Sequence, residues 1–372
     1  MENKEPSIAS VTPKERFLGL DLLRILSMVL VLVLHYLSFG GVLDTPTFGT
    51  PYYYLVWGLE SLAYVAVNCF VLISGYFLST STFKASRVLK LVLHALFFSL
   101  IGLGMTLILN PAAIGLKQII KSLTPVSSGV WWYISCYFQL LLLMPVMNTA
   151  IKGMNKRQFQ LCLGCILLIC SLIPCIIFWR SGQWPTGFTT LWFVALYFIA
   201  AYLRRYGTAL SSKKALLVYF MSSALLLASR LVIGYTTKAL LGHVTREGLF
   251  YGYNSVLIVI SSLSLFVAFW KIEIKGRALS FFIRKVAPYT LGVYLFHEHD
   301  FFRSTLYSLW RIERFAAHPL FMLLYMLLFI AVMFTIGYLL DVLFSLLCKL
   351  LRVKTAEQKL DLAIEKFLTK GD

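Results

Sequence analysis

Leu18-Gly-Leu-Asp21-Leu-Leu-Arg24-Ile-Leu-Ser-Met-Val-Leu-Val-Leu-Val-Leu-His35-Tyr-Leu-Ser38 is the stretch that decides the fold. It holds no proline and is apolar apart from a few polar positions. At about 1.5 Å per helical residue it covers about 30 Å, the thickness of the hydrocarbon core of a bilayer. Its three ionisable side chains are spaced regularly. Asp21 lies three residues before Arg24, within reach on one helix face. Arg24 and His35 are eleven residues apart, and eleven steps of about 100° return to within about 20° of the starting direction. Both side chains therefore point into one groove, separated by about 16 Å along the axis.

The rest of the chain has the same character. Of 372 residues, 59% are hydrophobic and 13% charged, and the mean hydropathy is +0.80. A soluble domain carries about 25% charge and cannot hide so much apolar surface. That composition excludes a soluble enzyme, a disordered chain and a disulfide scaffold. The seven cysteines are odd in number and lie in or beside apolar runs, as small lipophilic packing residues do. Cys162 and Cys165 form a C-x-x-C without nearby histidine or acid, so no metal site is expected there.

The spanning-length ruler marks about ten segments: roughly 18–38, 53–78, 88–109, 130–150, 159–179, 188–203, 215–234, 249–270, 288–309 and 319–347. The expected fold is an all-α integral membrane bundle. Lys and Arg fall unevenly on the connecting segments. One alternating set holds Lys4, Lys14 and Arg16, then Lys84, Arg87 and Lys90, then clusters around 152–157, 204–214 and 271–285, and finally the tail. It outweighs the other set by about three to one, which places both termini in the cytoplasm. The net charge of +18 is then mostly an orientation signal and not a nucleic-acid footprint. Residues 1–17 are expected as a cytoplasmic segment, 18–348 as the membrane domain and 349–372 as a cytoplasmic tail. In that tail Leu360, Ile364, Phe367 and Leu368 share a face, as in an interfacial helix, with Thr355 and Gln358 as a capping box.

Ionisable groups inside spans are costly and usually face a bundle interior or a wet cavity. They are Asp21, Arg24, His35, Glu60, His94, Arg230, Asp341 and the run His297-Glu298-His299-Asp300. Arg24 can bind an anion, and His35 can exchange a proton near neutral pH. Spacing alone equally allows an arginine reaching to the interface and a histidine bonded to a neighbouring carbonyl. His94 and Arg230 read as interhelical hydrogen-bonding partners. Glu60 could pair with either or orient the base. Glu298, His299 and Asp300 are adjacent on a helix and point apart, which argues against a shared metal ion.

Several fragments, in order, resemble the membrane acyltransferase-3 family. Arg16-Phe-Leu-Gly-Leu-Asp21-Leu-Leu-Arg24 followed by His35 resembles its first span, in which a basic residue precedes a histidine by eleven positions. Phe70-Val-Leu-Ile-Ser74-Gly75-Tyr76 resembles its apolar run into Ser-Gly-Phe or Ser-Gly-Tyr, and Lys84-Ala-Ser-Arg87 its paired basic residues. Trp131-Trp132-Tyr133 resembles its aromatic opening of the fourth span. Leu291-Gly292-Val293-Tyr294-Leu295-Phe296-His297 resembles its late histidine segment. Lys84 departs from the commoner arginine, keeping the charge but losing a bidentate fork.

The resemblance implies transfer of an acyl group, commonly acetyl, from cytoplasmic acyl-CoA to a hydroxyl on an extracytoplasmic or lipid-linked glycan, in a bacterial inner membrane. In that reading Lys84 and Arg87 meet CoA phosphates, and Arg24 holds the pyrophosphate or guides the pantetheine arm. His35 is the general base, with a covalent acyl-histidine as a variant. Tyr294, His297, Trp131 and Trp132 contact the acceptor, and no metal takes part. Buried His, Arg, Asp and Glu in many spans would also suit a proton-coupled secondary transporter. Binding of CoA separates the two.

Overall fold

The computed structural model describes residues 17–176 and 184–369. The segment 1–16, with Lys4, Lys14 and Arg16, and the residues Trp179, Arg180 and Lys370 lie outside the described residues. Among those described, every regular element is helical. In order they are α1 (Leu18–Phe39), α2 (Pro51–Ala63), α3 (Ala66–Leu78), α4 (Ala85–Leu109), α5 (Leu116–Leu123), α6 (Trp132–Gly153), α7 (Lys156–Leu167) and α8 (Ile173–Ile176). They continue with α9 (Thr190–Tyr206), α10 (Ser212–Leu241), α11 (Val256–Trp270), α12 (Arg277–Val286), α13 (Thr290–His297), α14 (Asp300–Trp310), α15 (Pro319–Leu350) and α16 (Val353–Thr369).

Among the described residues, seven segments are long and apolar enough to cross a membrane: α1, the α2–α3 pair, α4, α6, the segment from α7 to α8, α10 and α15. The other three expected spans differ. Helices α9 and α11 have 17 and 15 residues, and the third is broken into α13 and α14. Helices α9, α11 and α13 are enclosed to a large degree by neighbours, and irregular backbone at membrane depth is tolerated where protein surrounds it.

Helix α1 is the centre of the assembly, touching α2, α3, α11, α12, α13 and α15. Its start packs near Phe269 and Ile272, and its end stops at Gly40 and Gly41, the latter in the left-handed region at φ +70°. Burial sorts the outer helices from the inner ones: 72% of the central window of Pro51–Leu78 is buried but only 28% in α10 and α15. Leu217, Phe220 and Met221 on α10, and Leu320, Leu324 and Leu327 on α15, stay exposed. Lipid solvates such faces at no hydrophobic cost.

Polar side chains fasten the interior. Asn68 of α3 donates to the Tyr253 carbonyl (2.7 Å) and accepts from Trp192 Nε1 of α9 (3.0 Å). Asn148 of α6 donates to the carbonyls of Leu78 (3.0 Å) and Ser81 (3.1 Å), while accepting from Tyr197 on α9 (2.7 Å). The tail helix also differs from expectation. It begins at Val353, so Thr355 lies inside the first turn and not at a cap. It docks on α4 and α15, with Asp361 accepting from the Ser86 backbone N–H (2.9 Å) and hydroxyl (2.7 Å) at the first turn of α4.

Small residues let α13 approach α15. A methyl at Gly337 would run into the Val293 backbone, whereas one at Gly104 would meet open space. Gly337→Ala should therefore destabilise the protein by about 1–3 kcal/mol through overpacking. Gly104→Ala should stabilise it by about 0.5–1 kcal/mol by restoring helix propensity. Thermal unfolding in detergent, followed by tryptophan fluorescence, reads both signs.

Candidate active site

His35 lies near the end of α1, four residues before its last residue. Facing it is the C-terminal end of α13, which stops at His297. His35 Nδ1 is 2.9 Å from His297 Nε2 and 3.2 Å from Glu298 Oε2. His297 Nδ1 lies 2.6 Å from the Val293 carbonyl, so that nitrogen carries the proton and Nε2 accepts. His35 Nδ1–H is then the donor between the two rings, and its Nε2 keeps a free lone pair. These tautomers follow from the hydrogen-bond network.

Of the three adjacent residues expected to point apart, only Glu298 reaches this imidazole: α13 ends at His297, and the turn that follows brings Glu298 onto it. Glu298 in turn accepts from Arg303 Nη1 (3.3 Å), whose other nitrogen Nη2 reaches Asp300 (3.4 Å). Asp300 also pairs with Lys121. His299 turns elsewhere, its ring edge-on to Trp131 at 5.2 Å and occupying space that Gly102 of α4 leaves open.

A cavity of about 440 Å3 adjoins this cluster, lined by Phe39, Gly40, Asp300, Arg303, Tyr307, Ser308 and Glu313. Phe39 touches the His35 ring at 4.9 Å. The buried hydroxyls of Tyr294 and Tyr307 and the indole N–H of Trp131 find no hydrogen-bond partner among the described residues. Buried polar atoms are normally satisfied, so these are groups that a ligand can engage. The site-lining Tyr294 packs edge-on against His297 (6.0 Å) and Tyr133 (5.6 Å), and Tyr133 stacks on Tyr137 (6.0 Å).

The other sequence candidates lie apart from this cluster. Arg24 is on the same helix toward its start, and Asp21 holds it at 3.2 Å. Lys84 is exposed just before α4. Arg87 donates to Ser81 Oγ (3.1 Å) and the Thr82 carbonyl (3.0 Å). Trp132 stacks near Tyr253 (6.0 Å) and Phe188 (4.7 Å), away from His35. The sequence reading missed Arg303 and Arg204, counting both as loop charge. Arg204 donates to Tyr76 of the Ser-Gly-Tyr run at 2.8 Å and lies over the Phe17 ring. Glu60 keeps to the Arg230 region, where Arg230 pairs with Glu247 at 3.0 Å. His94 instead meets Asp341, at 2.9 Å.

A family profile described as an acyltransferase domain matches residues 17–342. The chain belongs to the acyltransferase-3 family. No curated protein and no solved structure matches it. As an acyltransferase-3 protein with seven long apolar helices, it is a multi-pass membrane acyltransferase. All seven of its cysteines are free, and none of them lines the cavity beside His35.

His35, His297 and Glu298 each bring one ligand-type atom within 4.8 Å of the others, a donor set that zinc accepts. Ligands around zinc at about 2.0–2.1 Å are held about 3.3–3.4 Å apart. The 2.9 Å between the two rings is the separation of a hydrogen bond. With Nε2 open, His35 should react with diethylpyrocarbonate faster than the fully buried His297. Peptide mass spectrometry after brief labelling checks the order, and the reverse order would contradict the assigned tautomers.

Proposed function

We propose that this acyltransferase-3 protein moves a short acyl group, acetyl first, from acyl-CoA to a hydroxyl of a glycan or lipid-linked sugar in a bacterial inner membrane. The observation that carries the reading is the His35 imidazole, held through Nδ1 by His297, with the Glu298 carboxylate 3.2 Å from that nitrogen, beside a cavity with Nε2 left open. That is the arrangement of an oriented general base. His35 Nε2 takes the acceptor proton as the hydroxyl oxygen attacks the thioester carbonyl. The tetrahedral intermediate then expels the CoA thiolate, which regains that proton from His35. Glu298 stabilises the imidazolium that forms in between, and Arg303 keeps Glu298 in place. The reading is metal-free.

Opposite ends of the bundle suit the two substrates. Lys84, Arg87 and Arg204 gather at the end where α1 begins, which positive charge assigns to the cytoplasm and where CoA phosphates would find cationic partners. Arg24 lies between them and His35, and the separation of about 16 Å along the helix suits an extended pantetheine arm. Tyr137, Tyr133 and Tyr294 line the way toward His297. The cavity beside Phe39 and Arg303 admits the acceptor from the other side. Its mixture of aromatic, acidic and basic side chains suits a polyhydroxylated ligand, and the Tyr307 hydroxyl is available to it. Trp131 bears on this side of the site through His299, its ring edge-on to that imidazole at 5.2 Å.

The transporter reading draws on the broken segments α2–α3, α7–α8 and α13–α14. They fall second, fifth and ninth among the expected spans. Those places do not correspond under any division into two equal repeats, as a carrier of that design requires.

Transfer of radiolabel from acetyl-CoA to the glycan fraction of membrane vesicles should occur with the wild-type chain and vanish with His35→Ala at matched expression. Glu298→Gln should lower kcat by about 10–100-fold, the usual loss on removing a group that orients a reacting histidine or ligand. Lys84→Ala combined with Arg87→Ala should raise the KM for acetyl-CoA and leave the acceptor KM unchanged. Label transfer that survives His35→Ala removes His35 as the base.

A further inference from the structure

We propose that Asp341, bridging His94 to the first turn of α13, is a positioning residue that sets where His297 meets His35. Helix α13 is eight residues long, and the first four N–H groups of a helix have no partner within it. The Gly292 N–H is one of these, and it donates to Asp341 Oδ2 of α15 at 2.8 Å. A carboxylate is favourable there because the helix dipole presents positive charge at that end. It can come this close because residue 292 is glycine: a β-carbon would collide with the Asp341 side chain.

The other carboxylate oxygen, Oδ1, lies 2.9 Å from His94 Nε2 on α4. The His94 ring is stacked on Phe344, one turn beyond Asp341, at 4.2 Å and 10° between planes. Asp341 and His94 are both buried, so removal of either leaves a polar group stranded in the interior. Together they fix α13 against α4 and α15.

The consequence reaches the reacting cluster through one short helix. Val293, directly after the capped glycine, packs its backbone against Gly337 of α15. Its carbonyl is the group that receives His297 Nδ1–H. His297 is five residues from Gly292, about 7.5 Å along the axis, and its Nε2 receives the His35 proton. A slide or rotation of α13 would open the His35–His297 contact before it disturbed the long helices. Neither Asp341 nor His94 touches the His35 cluster, so their part is positional.

The kinetic arm of the test rests on the acyl-transfer reading, and the labelling arm does not. Full-length Asp341→Ala and Asp341→Asn are compared with wild type in membrane vesicles. Asp341→Ala should lower kcat by about 100-fold, the scale of a 1 Å misplacement, with the KM for acetyl-CoA within about twofold. Asp341→Asn keeps an acceptor for the Gly292 N–H and should recover most of the lost rate. In parallel, diethylpyrocarbonate should label His297 several-fold faster in Asp341→Ala than in wild type, relative to the exposed His243, because His297 Nε2 has lost its donor. Asn and Ala variants that lose rate equally overturn the proposal, as does a wild-type rate of His297 labelling in Asp341→Ala. If the wild-type chain transfers no label, the acyl-transfer reading has failed, and the His297 labelling rates alone decide the role of Asp341.

Discussion

The hydrogen bond from His35 to His297 joins the central helix of the bundle to its shortest interior one. His297 is fully buried, so both its nitrogens must be satisfied by protein. It spends one on its own helix and the other on His35, and His35 spends one nitrogen on His297, with the Glu298 carboxylate 3.2 Å from that nitrogen. A single nitrogen remains uncommitted in the cluster, and it is the one on the residue beside the cavity. The chemistry of the site follows from that arithmetic of donors and acceptors more than from any unusual residue.

The same rule governs the other buried charges. Arg230 of α10 donates to the Tyr53 hydroxyl at 2.6 Å, pairs with Glu247 at 3.0 Å and lies over the Trp57 ring. His94 has Asp341 and Phe344. Each of these groups is expensive in an apolar interior and becomes tolerable only by recruiting partners from distant parts of the chain. The partners thereby fix how the helices meet, which hydrophobic packing in lipid specifies weakly.

This explains what was legible in the sequence. The all-helical membrane fold follows from composition and from unbroken apolar runs, and the shared face of Arg24 and His35 follows from helical period alone. The Asp21 contact with Arg24 is local and could be read from spacing. Pairings across the chain could not: nothing near His94 points to Asp341, and nothing near His35 points to Glu298. Glu298 reaches His35 because α13 stops one residue before it. A glutamate, an arginine and an aspartate clustered at 298–303 did carry a signal, since such charges at the edge of an apolar run commonly mark a helix end. Helix α9, at 17 residues, has about its expected length, whereas α11, at 15 residues, falls short of its expected span and the ninth span is broken, for a related reason. Apolar residues continue past the end of a buried helix because protein, not water, surrounds the turn.

An enzyme joining a soluble thioester to an acceptor on the other face of a membrane must let each substrate in from its own side without opening a leak. The arrangement proposed here meets that demand with one helix. Arg24 and His35 share a face of α1, so a ligand arm held at the first is directed toward the second. The charged residues on the far side, Glu298, Arg303, Asp300 and Lys121, pair with one another in a continuous network, which holds the Glu298 carboxylate in place beside His35. The network around Glu298 is therefore as much a part of the proposed catalysis as the imidazole it surrounds.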